Sequence, residues 1–215
     1  KGKQAAEGKG GEAEADGPRQ PVRTLELGAG VGLLSAALAC MGAEALATDS
    51  PAVSATVGMA NAAANAKAIK DAKNGGRLSV LPLDWRWLSD SASPNTKTAS
   101  TGSTTTDATA ATQKFARTDF EKKFAEPLKH AIKFDFVFGS DLVFHRDAIR
   151  PLILVIRKTL SKSGEFLMAH KNRKQELKEH MISAFKNAGF DVAEMETRRA
   201  ALTIFRMTWR RASPS

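Results

Sequence analysis

The residues of this chain best suited to chemistry are four carboxylates and two aromatic rings, each close to the end of an apolar run. The first group is Glu26-x-Gly28-x-Gly30-x-Gly32, which closes the stretch Val22, Leu25, Leu27. A dinucleotide fingerprint needs a glycine at 33, where this chain has Leu33, so pyrophosphate on the following helix N-terminus is disfavoured. The spacing offers instead a turn of nearly bare backbone (Gly28, Ala29, Gly30, Gly32) against which a ligand can lie. Glu26 beside it suits a cationic or hydroxyl-bearing ligand better than a phosphate. A turn of this kind can also serve packing alone.

Asp49 ends a second apolar run, 17 residues after Gly32. That is close to where doubly wound folds place a carboxylate that accepts from both hydroxyls of a ribose. Asp49 can also cap a helix starting at Pro51, in addition to that role or in place of it. Asp84 and Trp85 follow a third run; the acid can accept from an exocyclic amine while the indole packs on a base, an adenine clamp. Trp85 and Trp87 can equally be core or lid residues. Lastly, Phe134-Asp-Phe-Val-Phe-Gly-Ser-Asp141 runs into a turn and brings Ser140, Asp141 and Phe144 to a sheet edge, where open α/β folds bind ligands.

Hydrophobic periodicity supplies the elements that must hold these groups. Strands are expected at 22–27, 43–49, 77–81, from Phe134, at 165–169, 190–196 and 201–209. Helices are expected at 31–41, with Leu33, Leu34, Ala37, Leu38 and Met41 as the apolar face, and at 51–68, 147–160 and 174–188. Asn61 and Asn65, one helical turn apart, tie the second helix to neighbouring loops. Lys73–Gly76 and Ser161–Gly164 read as turns. Residues 1–20 form a disordered lead-in. About 89–118 is a Ser- and Thr-rich insertion without apolar periodicity, followed by a helix carrying Phe120, Phe124 and Leu128. Seven strands, helices between the first five and a final antiparallel pair make an α/β, doubly wound, mostly parallel sheet with a C-terminal β-hairpin. It forms a single domain over 21–211.

The 215 residues suffice for one sizeable core. No apolar run approaches the ~20 residues that span a bilayer, so no membrane association is expected. One cysteine, Cys40, excludes an internal disulfide and fits a reducing compartment, cytoplasmic and also nuclear. Its setting in an apolar helix makes it a core residue. The chain begins at Lys1 without Met, so the missing secretory pattern excludes nothing upstream. The net charge is +9, and residues 1–20 carry equal numbers of acids and bases, so the excess lies in the folded part. Arg198, Arg199, Arg206, Arg210 and Arg211 bunch near the C-terminus, a face for an acidic protein or a nucleic acid, or simply a solvated surface. No metal site is expected.

Leu-Glu-Leu-Gly-Ala-Gly-Val-Gly, Ala-Thr-Asp49, the Asn61/Asn65 pair, Leu-Asp-Trp85 and Ser-Asp-Leu-Val-Phe144 together resemble the class I (seven-stranded, Rossmann-like) S-adenosylmethionine-dependent methyltransferases. Within them, the pattern is similar to the methyltransferase-like family of non-histone protein lysine methyltransferases. The likeness covers about 22–88 and 119–211. It implies S-adenosylmethionine as cofactor, with Gly28, Ala29 and Gly30 along its methionine and ribose side and Asp49 on the ribose. Asp84 and Trp85 would take the adenine, Ser140 the cofactor's edge and Asp141 the catalytic mouth. It also implies a protein substrate, with an acidic surface or a chaperone- or translation-type complex as its setting. Two features depart from the family: Phe144 stands where the family has tyrosine, and no tryptophan precedes Val22. Phe144 keeps an aromatic wall and a cation–π face without the hydroxyl. An RNA or small-molecule methyltransferase on the same fold, or a degenerate cofactor-binding scaffold, are the competing readings.

Overall fold

The computed structural model describes residues 20–85, 132–195, 197–199 and 201–211. Residues 1–19 of the lead-in, Trp87, the 89–118 insertion and the helix of Phe120, Phe124 and Leu128 lie outside the described residues.

β1 (Arg23–Leu27) leads through the glycine turn to α1 (Leu33–Cys40), then to β2 (Glu44–Asp49). A helix over 51–71 follows as α2, with a π-helical turn at Ser54–Gly58 inside it. β3 is Arg77–Pro82 and β4 is Phe134–Ser140. After a 3-10 turn at Arg146–Ala148 come α3 (Ile149–Thr159), β5 (Leu160–Lys171) and α4 (Gln175–Asn187). β6 (Phe190–Met195) and β7 (Leu202–Trp209) end the chain. The sheet order is β3-β2-β1-β4-β5-β7-β6. The first five strands run parallel, and β7 lies antiparallel between β5 and β6. The expected topology is the observed one. Strand order reverses between β1 and β4, so their C-terminal ends open the crevice where such sheets bind ligands.

The main core lies on one face of the sheet. Leu25, Leu27, Val137, Phe166, Met168, Phe205 and Met207 meet Leu152 and Ile156 of α3 and Met181 and Phe185 of α4, all fully buried. Phe185 stacks on Phe166 at 5.9 Å and meets Phe190 edge-on at 5.7 Å. A smaller cluster, Ala39, Ala45 and Ile69 with Cys40 packed against it, closes the other face under α1 and α2. Apart from Ile69 and the partly buried Leu78, its residues are small. A Cβ on Gly76 would stand 2.1 Å from the Ala43 carbonyl oxygen, which excludes every other residue there.

Three local expectations are corrected. The apolar face assigned to α1 points outward: Leu33 is 76% and Met41 73% exposed, and Leu34 is exposed as well. The side facing the sheet is Ser35 and Ala39, because Ser35 donates its N–H and its hydroxyl to Glu26 of β1, which turns that side of the helix inward. The turn expected at Ser161–Gly164 lies within β5 as an irregularity: Phe134 pairs with Leu160 while Phe136 pairs with Glu165. The Trp209 indole N–H holds that kink by donating to the Ser161 carbonyl at 3.0 Å. Finally, Asn61 reaches the Val31 carbonyl at 3.0 Å as expected, but Asn65 donates to Asn61 within its own helix at 2.8 Å.

Phe185→Ala removes the ring at the centre of the main core and should cost about 3–5 kcal/mol. Urea unfolding monitored by circular dichroism checks this; a loss below about 1 kcal/mol would mean that the core repacks around the gap.

Candidate active site

The site begins with three glycines in left-handed backbone. Gly28, Gly30 and Gly32 have φ of +65°, +55° and +75°, a region costly for residues with a Cβ. This alternation folds the chain back at the end of β1. The Ala29 N–H donates to the Thr48 carbonyl (2.9 Å) and the Gly30 N–H to Asp49 Oδ2 (2.7 Å). The turn is thereby joined to the end of β2. Asp49 Oδ1 accepts the Ser50 N–H at 2.6 Å. Each oxygen retains acceptor capacity for hydroxyl donors. The helix at Pro51 starts without a side-chain cap, so the capping role for Asp49 does not apply.

Leu142 connects this turn to the end of β4. A Cβ on Gly28 would stand 2.9 Å from Leu142 Cδ2, and one on Gly139 2.3 Å from Leu142 Cδ1. The leucine therefore sits in the space that two glycines leave open. Asp141, just before it, takes φ +53°, the one described non-glycine residue with positive φ, a conformation aspartate tolerates better than most. The Asp141 N–H donates to the Ala169 carbonyl (2.8 Å), and Oδ1 accepts the Lys171 N–H (3.0 Å). The Arg173 guanidinium donates to Oδ2 at 2.9 Å and lies 4.9 Å from the Phe144 ring centre. Burial alone would raise the Asp141 pKa, but the Lys171 N–H, Arg173 and the nearby His170 outweigh it and bring it below the usual carboxylate range. Asp141 is anionic at neutral pH.

One cleft of about 730 Å³ gathers Gly28, Asp49, Asp84, Trp85, Ser140, Asp141 and Phe144. They come from the ends of β1, β2, β3 and β4. The size suits a cofactor-sized ligand; its carboxylates can accept from hydroxyls or an amine, and the indole can pack on a flat ring. Glu26, Ala29, Gly30 and Gly32 are not part of its lining. Gly30 still adjoins it through Asp49, whereas the Glu26 carboxylate accepts both the N–H and the hydroxyl of Ser35. Burial pushes the Glu26 pKa up, against those two bonds. Its place is at the foot of α1, not at the cleft surface.

Sequence reasoning missed Leu142, Arg173 and His170 as parts of this site. A basic residue just past the C-terminal end of β5 was the available signal for Arg173. His170 is 2% exposed, lies 6.2 Å from the Phe205 ring, and its Nδ1 has no hydrogen-bond partner among the described residues. Among the described residues no group of three or more His, Cys, Asp or Glu is placed to hold a metal ion, and no helix is long and apolar enough to cross a membrane.

A protein-family model described as "Lysine methyltransferase" matches residues 105–187, which include β4, Asp141, Phe144, β5 and Arg173. No curated protein matches the chain in sequence. Among solved structures, the PH0226 protein from Pyrococcus horikoshii OT3 is similar with TM-score 0.55 and 15% identity, covering 89% of this chain and 83% of that one. The Methanococcus jannaschii fibrillarin pre-rRNA processing protein gives TM-score 0.55 and 15% identity over 88% and 67%. A ribosomal protein L11 methylase from Lactobacillus delbrueckii subsp. bulgaricus gives 0.51 and 16% over 91% and 73%. The fold is that of the class I methyltransferases. At such identities, the likeness speaks for the fold alone.

Burial pushes the His170 pKa below its ordinary 6.5, with Arg173 and Lys178 adding to the effect and Asp141 opposing it. The unfolded chain therefore binds a proton at higher pH than the folded one does. Stability conferred by neutral His170 is complete above about pH 7 and falls as pH drops below 6.5. His170→Leu should flatten that part of the pH–stability profile in urea titrations between pH 7 and 5; an unchanged slope would assign it to other groups.

Proposed function

We propose that this protein transfers a methyl group from S-adenosylmethionine to a lysine side chain of a non-histone protein. The observation that carries this reading is the single cleft in which Gly28, Asp49, Asp84 and Trp85 adjoin Asp141 and Phe144. The first four suit a nucleoside cofactor: bare backbone, a carboxylate for the ribose diol, and an acid with an indole for the base. Ser140 lies along the same wall. S-adenosylmethionine supplies an activated methyl on a sulfonium. The chain's own residues then have two tasks, alignment and exclusion of water.

Asp141, anionic and held by the main chain, orients the acceptor amine; Phe144 provides a ring face for its alkyl stem and charge. A free lysine has a pKa of about 10.4, and the carboxylate favours the charged form further. The amine therefore loses its proton to solvent before attack. The lysine acceptor draws further support from the family description that fits residues 105–187. An RNA acceptor draws less. Of the five C-terminal arginines, Arg206 is paired with Glu165 and Arg210 with Asp191 at 3.3 Å, so two of the cluster's charges are balanced locally by carboxylates. The reaction belongs to one domain over 21–211. The lone cysteine suits a reducing compartment, the cytoplasm or nucleus.

Incubation with radiolabelled S-adenosylmethionine and a whole eukaryotic lysate should put label into protease-sensitive material, with incorporation rising between pH 7 and 9. Nuclease-sensitive label would move the acceptor to RNA. Asp141→Ala should lower turnover at least 100-fold while changing S-adenosylhomocysteine affinity by less than threefold in calorimetry, the pattern of an interaction made with the acceptor. Equal losses in both would remove Asp141 from the acceptor side. Asp49→Ala should do the reverse and weaken S-adenosylhomocysteine by tenfold or more.

A further inference from the structure

Asp141 and Phe144, which line the acceptor end of the cleft, already hold a cation from a residue that is not itself part of the lining. The Arg173 guanidinium sits 2.9 Å from Asp141 Oδ2 and 4.9 Å from the centre of the Phe144 ring, so both groups that would recognise a substrate ammonium are engaged by a side chain of the protein itself. Two roles for Arg173 can be distinguished. One is to position Asp141. The other is to occupy the seat.

The main chain already does the positioning. Oδ1 is fixed by the Lys171 N–H at 3.0 Å, the Asp141 N–H by the Ala169 carbonyl at 2.8 Å, and the neighbouring Leu142 by its fit against Gly28 and Gly139. Arg173 adds no further anchor of that kind; it bonds the oxygen left over. Its hold is also weak. The two side chains are 43% and 31% exposed, and an ion pair so open to water contributes little and can be exchanged. A guanidinium and a primary ammonium satisfy the same carboxylate and the same ring face, but they cannot do so together.

We propose that Arg173 is a resident competitor for the acceptor seat, a specificity-determining residue that an incoming primary amine must displace from Asp141 and Phe144. This rests on the lysine reading above and adds a consequence to it. Simple exposed lysines are poor acceptors for this protein, because each must replace a cation already tethered there. A genuine acceptor is presented by a docked partner whose remaining contacts outweigh the displacement. No covalent change is involved; one ion pair is exchanged for another.

The test uses Nα-acetyl-lysine methylamide as the probe, with S-adenosylhomocysteine saturating, and reads binding by ligand-observed NMR. Arg173→Ala should bind the probe about two- to fivefold more tightly than the wild type. Arg173→Lys, which restores a tethered cation, should return affinity to the wild-type range. The Nε-acetylated probe, which is neutral, should gain nothing from Arg173→Ala. Unchanged or weaker binding in Arg173→Ala, an equal gain for the neutral probe, or no probe binding by any form would overturn the proposal. S-adenosylhomocysteine affinity, measured on the same samples, separates the two readings. If the cofactor product binds and the probe results fail, only the role of Arg173 falls. If it does not bind, the methyltransferase reading itself falls.

Discussion

The insertion of Leu142 between Gly28 and Gly139 is the constraint on which the rest of the site depends. It locks the end of β1 to the end of β4, the two strands between which the sheet order reverses. Neither glycine can carry a side chain without moving the leucine. Leu142 is buried, Asp141 just before it takes left-handed backbone, and the Asp141 carboxylate accepts the Lys171 N–H at the end of β5. One packing contact thus ties the cofactor turn, the acceptor carboxylate and the next strand into one rigid edge.

The division of labour across the sheet follows from residue size. Large side chains fill the face under α3 and α4, where Phe166, Phe185 and Phe190 form a chain of ring contacts. The cluster under α1 and α2 is smaller, with Ala39 and Ala45 beside Ile69. Direct pairing of β1 with β2, Leu27 opposite Thr48, brings the glycine turn and Asp49 within hydrogen-bonding reach. The outward display of Leu33, Leu34 and Met41 is the consequence of placing Ser35 and Ala39 inward.

Electrostatics at the two ends of the cleft differ in kind. Asp49 is satisfied by backbone N–H groups and keeps acceptor capacity for neutral hydroxyls. Asp141 is held anionic and faces a cation. A ligand with a hydroxyl-rich, uncharged sugar and an acceptor with a basic nitrogen match those two environments in that order. Glu26, in contrast, has turned its charge toward the helix it anchors.

The topology and most of the cleft were legible in the sequence. Strand ends are marked by the change from apolar run to glycine or acid, and in a doubly wound sheet the ends of β1, β2, β3 and β4 must converge; Gly28, Asp49, Asp84, Trp85, Ser140, Asp141 and Phe144 follow from that alone. Three things were decided only in the folded state. The facing of α1 depended on the bonds of Ser35 to Glu26 of β1, a contact that periodicity does not encode. Glu26 and Asp49 are both acids at strand ends, yet one bonds Ser35 and the other Gly30, because only the three-dimensional course of the turn determines which N–H groups each can reach. Arg173 lies 32 residues from Asp141, and no local pattern links them. Sequence spacing determines which residues reach the edge of the sheet; their partners across it are set by packing between strands distant in the chain.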